Sequence, residues 1–124
     1  ADVYKIQQQL GEGVRSVDVW GLSYKPDTEV VDASQGLGIA RALAKSGKVV
    51  RVHDPKVPKS VVNDDPIDWL DDPLVAPPPD VVVLATPWPI YLEWAPLVQP
   101  TVAFIDPWGT AKVHTNCLHV RPGR

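Results

Sequence analysis

The chain has 124 residues, 44% of them apolar and 22% charged, which suits one globular domain long enough to bury a real core. A net charge of −3 with no local block of Lys or Arg argues against a general nucleic-acid surface, and a single cysteine, Cys117, leaves no intrachain disulfide. Apolar runs such as Val81 to Ala85 fall far short of the roughly 20 residues that cross a bilayer, and no signal peptide is visible, so a cytoplasmic protein is expected.

Residues 2–10 (DVYKIQQQL) place Val3, Ile6 and Leu10 on one helical face, with Gly11 and Gly13 as a stop. Residues 14–20 (VRSVDVW) form an imperfectly alternating strand. A helix is predicted over 34–46, with Gly36, Ile39, Ala40, Leu43 and Gly47 on one face and small residues that permit close approach to a sheet. Asp32 with Gln35 has capping-box spacing, and Ser34 is the other candidate cap. Residues 49–55 (VVRVHDP) give a second strand, and residues 60–62 give a weak signal for a short edge strand. The acidic stretch NDDPIDWLDDP and the run Pro77 to Pro79 look like a surface excursion. The clearest strand lies within 79–87 (PDVVVLATP), a β-branched run expected to be buried on both faces. A short helix over 89–98 and strands over 101–107 and 117–121 complete the pattern. Fourteen prolines, many between Pro55 and Pro100, fit loops better than long helices. The lack of methionine and the first residue, Ala1, suggest a piece of something longer.

Alternation of strands and helices predicts a Rossmann-like, doubly wound α/β fold: a mostly parallel sheet of five to six strands in a three-layer α/β/α sandwich, with residues 1–124 as one domain. If the strand order is 3-2-1-4-5, ligands belong where that order reverses, between the first strand and the Val81 to Ala85 strand. The loops meeting there are Gly21 to Thr28 and Thr86 to Trp88. In the first, GLSYKPDT, Gly21 permits a close turn, Lys25 supplies a point charge for a phosphate or carboxylate, and Tyr24 offers a flat face for a base or sugar. A surface lysine beside a core-packed tyrosine accounts for the same residues. No glycine fingerprint for a dinucleotide follows the strand, since Ser23 stands where a second glycine belongs. Asp54 ends a strand where a Rossmann domain holds a ribose, but beside Pro55 it is expected to cap a turn. A metal site on His114, Cys117 and His119 lacks a fourth ligand, and the cluster Asp64, Asp65, Asp68, Asp71 and Asp72 is expected to be a solvated acidic loop.

The order GLSYKPDT, GIARALAKSG, VVRVHDPK, PDVVVLATPW and FIDPWG, with the tail HVRPGR, resembles the C-terminal domain of the UDP-glucose/GDP-mannose dehydrogenase family over nearly the whole chain. The resemblance implies a UDP-sugar-binding domain of an NAD-dependent enzyme that oxidises a sugar C6 alcohol to a carboxylate. It implies that Tyr24 and Lys25 are the substrate-binding pair, and that NAD and the catalytic cysteine belong to an N-terminal half. It also implies a central helical region for homodimerisation, with residues 2–10 as the end of its connecting helix. Cys117 does not inherit the catalytic role, this chain holds no catalytic, cofactor or metal residue on this account, and alone it is expected to be inactive. Against the family pattern T-x-D-x-R-x-S-P, this chain has Val30, Asp32 and Gln35 where the acid, the arginine and the proline belong. Trp108 and Gly109 follow Asp106-Pro107 where many members have an arginine. The competing account is a non-catalytic nucleotide-binding or assembly module of the same fold.

Overall fold

The computed structural model describes residues 13–23, 35–106 and 119–120. Six strands form one parallel sheet in the order β3-β2-β1-β4-β5-β6: β1 Ser16–Trp20, β2 Val49–His53, β3 Asp68–Trp69, β4 Val81–Leu84, β5 Ala103–Ile105 and β6 His119–Val120. The order reverses between β1 and β4, as the pattern of elements predicts. Helix α1, Gln35–Lys45, packs on one face, and helix α2, Pro89–Trp94, on the other, giving the expected three layers.

The two faces have different chemistry. Val17 and Val19 of β1 join Val50, Val52, Val81 and Val83 beneath Ile39, Ala40 and Leu43 of α1. Each fully buried side chain of this size contributes about 1.5–3 kcal/mol. The other face carries Trp20, Val82, Leu84 and Phe104 under Trp88, Tyr91 and Ala95. Trp20 meets Tyr91, Trp94 and Phe104 at centroid distances of 5.3, 6.0 and 5.6 Å. All four residues of β4 are buried, as expected of a central parallel strand.

Helix α1 closes where Gly47, at φ +94°, takes a left-handed turn. The Gly47 N–H donates to Ala44 O and the Lys48 N–H to Leu43 O, the paired bonds of a Schellman cap. Helix α2 begins at Pro89 and stops at Trp94, and a 3₁₀ turn, Ala95–Leu97, comes next because Pro96 cannot continue the α-helical ladder.

Two expectations are corrected. Residues 60–62 are not an edge strand. Lys59–Val62 forms a 3₁₀ turn after the extended Pro58, because a three-residue run that buries only Val62 fits a helical turn as well as a strand. The edge strand beside β2 is β3, inside the acidic stretch expected to be a surface excursion. There Asp68 and Trp69 pair with Arg51 and Val52, while Ile67 and Leu70 on either side are buried. A strand of two residues is too short to show an alternating pattern.

Asp18 and Arg51 face each other across β1 and β2 with Nε–Oδ1 at 2.7 Å and Nη2–Oδ2 at 2.9 Å, and Arg51 also donates to Pro77 O at 2.7 Å. The proline run is thereby tied to the sheet. Asp18 is 1% exposed, and burial raises its carboxyl from the usual 3.8 to about 6 although Arg51 opposes the shift. Between those values the folded chain keeps a proton that the unfolded chain has released. Stability from Asp18 therefore falls as pH rises through that window and is constant above it. The unfolding free energy of the wild type relative to Asp18→Asn is expected to drop by on the order of 2 kcal/mol between pH 4 and pH 7 in urea titrations. A difference independent of pH would contradict this.

Candidate functional site at the strand-order reversal

The chain leaves β1 at Gly21, whose φ of +103° is a conformation that side chains rarely allow. A Cβ there would lie 2.5 Å from the Thr86 side chain. The Gly21 N–H donates to His53 O, while Ala85 and Thr86 donate to Trp20 O, so the ends of β1, β2 and β4 are stitched together. Helix α1 comes in on the other side so closely that a Cβ on Gly36 would collide with Gly21 O. The small-residue face of the helix thus serves to bring its first turn against the loop.

Asp54, just past β2 and 5% exposed, ties together the loops after β1 and β2 on one side of this crevice. Its Oδ2 accepts from Leu22 N (2.7 Å) and Ser23 N (3.0 Å), and its Oδ1 from Lys56 N and Val57 N (both 2.8 Å). The expected turn cap is present, and the same carboxylate also caps the loop after β1. Thr86 Oγ1 donates to Ser23 O at 2.9 Å, and the Trp88 indole N–H donates to Ser23 Oγ at 3.1 Å. The loops starting at Gly21 and at Thr86 therefore meet where the reversal of strand order predicts.

Below them, Tyr91 OH donates to His53 O at 3.0 Å and lies 2.9 Å from His53 Nδ1. With its one proton committed to the carbonyl, the phenol accepts from Nδ1–H. Burial lowers the His53 imidazole below its ordinary 6.5, although Asp54, Asp72 and Asp71 pull the other way, and burial pushes the Tyr91 phenol up. Both groups are neutral at physiological pH and serve as a support under the crevice.

Residues 18–113 match the UDP-glucose/GDP-mannose dehydrogenase family, UDP binding domain. The chain belongs to that family. Among solved structures it is similar to a UDP-glucose dehydrogenase from the hyperthermophilic archaeon Pyrobaculum islandicum, with 28% identity and a TM-score of 0.70 over 95% of this chain. It also shares its fold with the UDP-N-acetyl-mannosamine dehydrogenase of S. aureus (19% identity, TM-score 0.73, 96% of this chain). The same holds for a GDP-mannose dehydrogenase of Pseudomonas aeruginosa (16%, 0.68, 94%). The chain spans 28%, 28% and 30% of those three proteins. No curated protein sequence matches it.

In this family member the described residues do not fit NAD. Both carboxylate oxygens of Asp54 are filled by backbone N–H groups, so a ribose diol finds no acceptor there, and the Ser23 N–H is turned to Asp54 and not toward a pyrophosphate. Among the described residues no group of three or more His, Cys, Asp or Glu side chains is arranged to hold a metal, and no helix is long and apolar enough to cross a membrane. From the acidic cluster, Asp65 is paired with the Arg41 guanidinium and Asp72 accepts from Leu74 N. Tyr24, Lys25, Asp32, Ser34, Trp108, His114 and Cys117 lie outside the described residues, as do the helix over 2–10 and, with Asp32 and Ser34, the candidate N-terminal caps of α1.

Two of the hollows among the described residues lie elsewhere. One, lined by Asp18, Trp20, Leu74, Pro79 and Leu97 among others, has about 30 Å³ of room, enough for a water and far short of a nucleotide. The other is an open hollow of about 380 Å³ lined by Val14, Arg15, Ser46, Gly47, Lys48 and Val49. Those residues flank the amino ends of β1 and β2, away from the strand-order crevice. Lys48 there already donates to Val14 O.

The sequence did not reveal that Ser23 and Trp88 are bonded, or that Asp54 serves two loops. The available signal was the indole itself, because a buried Trp N–H usually has a partner.

The contact between Gly36 and Gly21 makes a sharp prediction. Gly36→Ala should destabilise the chain by about 3 kcal/mol or more, since the clash is with backbone that is itself held in place. Gly38→Ala, exposed in the same helix with nothing within 4 Å of its Cβ, should be neutral or stabilise by up to about 1 kcal/mol. Thermal and urea unfolding of the two variants will decide; equal losses would show that the close approach does not matter.

Proposed function

We propose that this chain, residues 1–124, is the nucleotide-sugar-binding domain of an NAD-dependent nucleotide-sugar 6-dehydrogenase working in the cytoplasm. The whole enzyme would oxidise the C6 alcohol of a UDP-sugar to a carboxylate. The observation that carries this is the family match over residues 18–113 together with the meeting of the loops at Ser23, Thr86 and Trp88 beyond the carboxyl ends of β1 and β4. The substrates for which the similar structures are named, UDP-glucose, UDP-N-acetyl-mannosamine and GDP-mannose, support a nucleotide sugar as the substrate class.

In this proposal Tyr24 and Lys25 bind the substrate. They come directly after Ser23 in the chain. Lys25 suits the sugar's C6 region or the anionic product, where a mobile ammonium matches a developing carboxylate. Tyr24 supplies a flat face. NAD, the nucleophilic cysteine and the dimer contacts come from an N-terminal half of the same enzyme, so the chain binds without turnover. A non-catalytic module of the same fold is favoured only by Asp32, Gln35 and Trp108, where the sequence departs from the family pattern.

Titration with UDP, UDP-glucose and GDP-mannose, monitored by nuclear magnetic resonance, tests the proposal. Selective shifts are expected at residues 21–28 and 86–88, with affinity weakened about 10- to 100-fold by Lys25→Ala, as for loss of one charge-assisted hydrogen bond. No response to any of the three at millimolar concentration would contradict it.

A further inference from the structure

Ser23 is 1% exposed, and its N–H, its carbonyl and its hydroxyl oxygen each have a partner within the protein. Its N–H donates to Asp54 beyond β2, its carbonyl accepts from Thr86 beyond β4, and its hydroxyl oxygen accepts from the Trp88 indole. Two separate segments therefore hold one small residue from three directions. Trp88, 6% exposed, is the residue before Pro89 of α2, so the hold reaches from the sheet to the helix on the opposite face. A residue held this way has little left to offer a ligand, and a plain turn needs far less.

We infer that Ser23 is a positioning residue for nucleotide-sugar binding, fixing the point from which Tyr24 and Lys25 depart. This rests on the proposed function. The physical gain is preorganisation. A loop that must find its bound conformation loses entropy when the ligand arrives, whereas one anchored at its root loses less, and the difference appears in affinity. The inference also accounts for the serine where a dinucleotide fold carries its second glycine. Glycine would keep both backbone bonds but could not accept from Trp88, whose N–H would then be buried without this partner.

The test is a set of variants titrated with UDP-glucose: Ser23→Ala, Trp88→Phe, both together, and Val62→Ala as a control for stability. Val62 is buried beneath the sheet's other face and belongs to the opposite core cluster. Ser23→Ala and Trp88→Phe should each weaken binding about tenfold, and the double variant about tenfold as well, because both remove one shared bond. Val62→Ala should lower the melting temperature and leave the dissociation constant unchanged. If Ser23→Ala binds as the wild type does, if the two losses multiply to about a hundredfold, or if Val62→Ala weakens binding as much, the inference is overturned while the proposed function stands. If the wild type itself binds none of UDP, UDP-glucose or GDP-mannose, both fall.

Discussion

Four backbone N–H groups converge on one carboxylate, that of Asp54, and the architecture of the crevice depends on it. Two of the bonds close the turn after β2, and the other two reach across to the loop after β1. Hydrogen bonds to a charged acceptor are worth about 1.5–3 kcal/mol each, so their loss would free both loops together. The arrangement also sets a limit on chemistry. A carboxylate occupied by its own backbone cannot hold a ribose, so among the described residues this Rossmann-like sheet lacks the ribose acceptor of a dinucleotide site.

The rest of the frame is set by how closely elements approach that loop. Gly21 turns where a side chain would strike Thr86, and Gly36 lets the first turn of α1 touch the Gly21 carbonyl. On the other face, the His53 and Tyr91 pair lies beneath the ends of β1 and β2, and Trp20 fills the layer between the sheet and α2. The indole N–H of Trp20 is buried without a hydrogen-bond partner among the described residues, a local cost accepted within a large aromatic cluster. The described residues around Ser23 thus form a closely bonded frame.

Much of this was legible in the sequence because the strong signals are local. A β-branched run between prolines gave β4, and a small-residue helical face gave α1 and its close packing. The alternation of elements gave the parallel order and hence the place of the crevice. Where the signal is short or non-local it failed. Asp68 and Trp69 make an edge strand too brief for periodicity, inside a stretch whose acidic composition reads as loop. Val61 and Val62 fit a 3₁₀ turn and a strand equally well. The bonds from Asp54 and Trp88 to Ser23 join residues 31 and 65 positions apart, and no spacing rule reaches that far.

The measurement that most directly tests the central claim is a crystal structure of the chain bound to UDP-glucose. The account predicts the ligand at the crevice between β1 and β4, beyond Ser23, Thr86 and Trp88, with the Lys25 ammonium within hydrogen-bonding distance of it and the bonds to Ser23 unchanged. A ligand seated instead in the hollow beside Arg15 and Lys48 at the amino ends of the strands would contradict it.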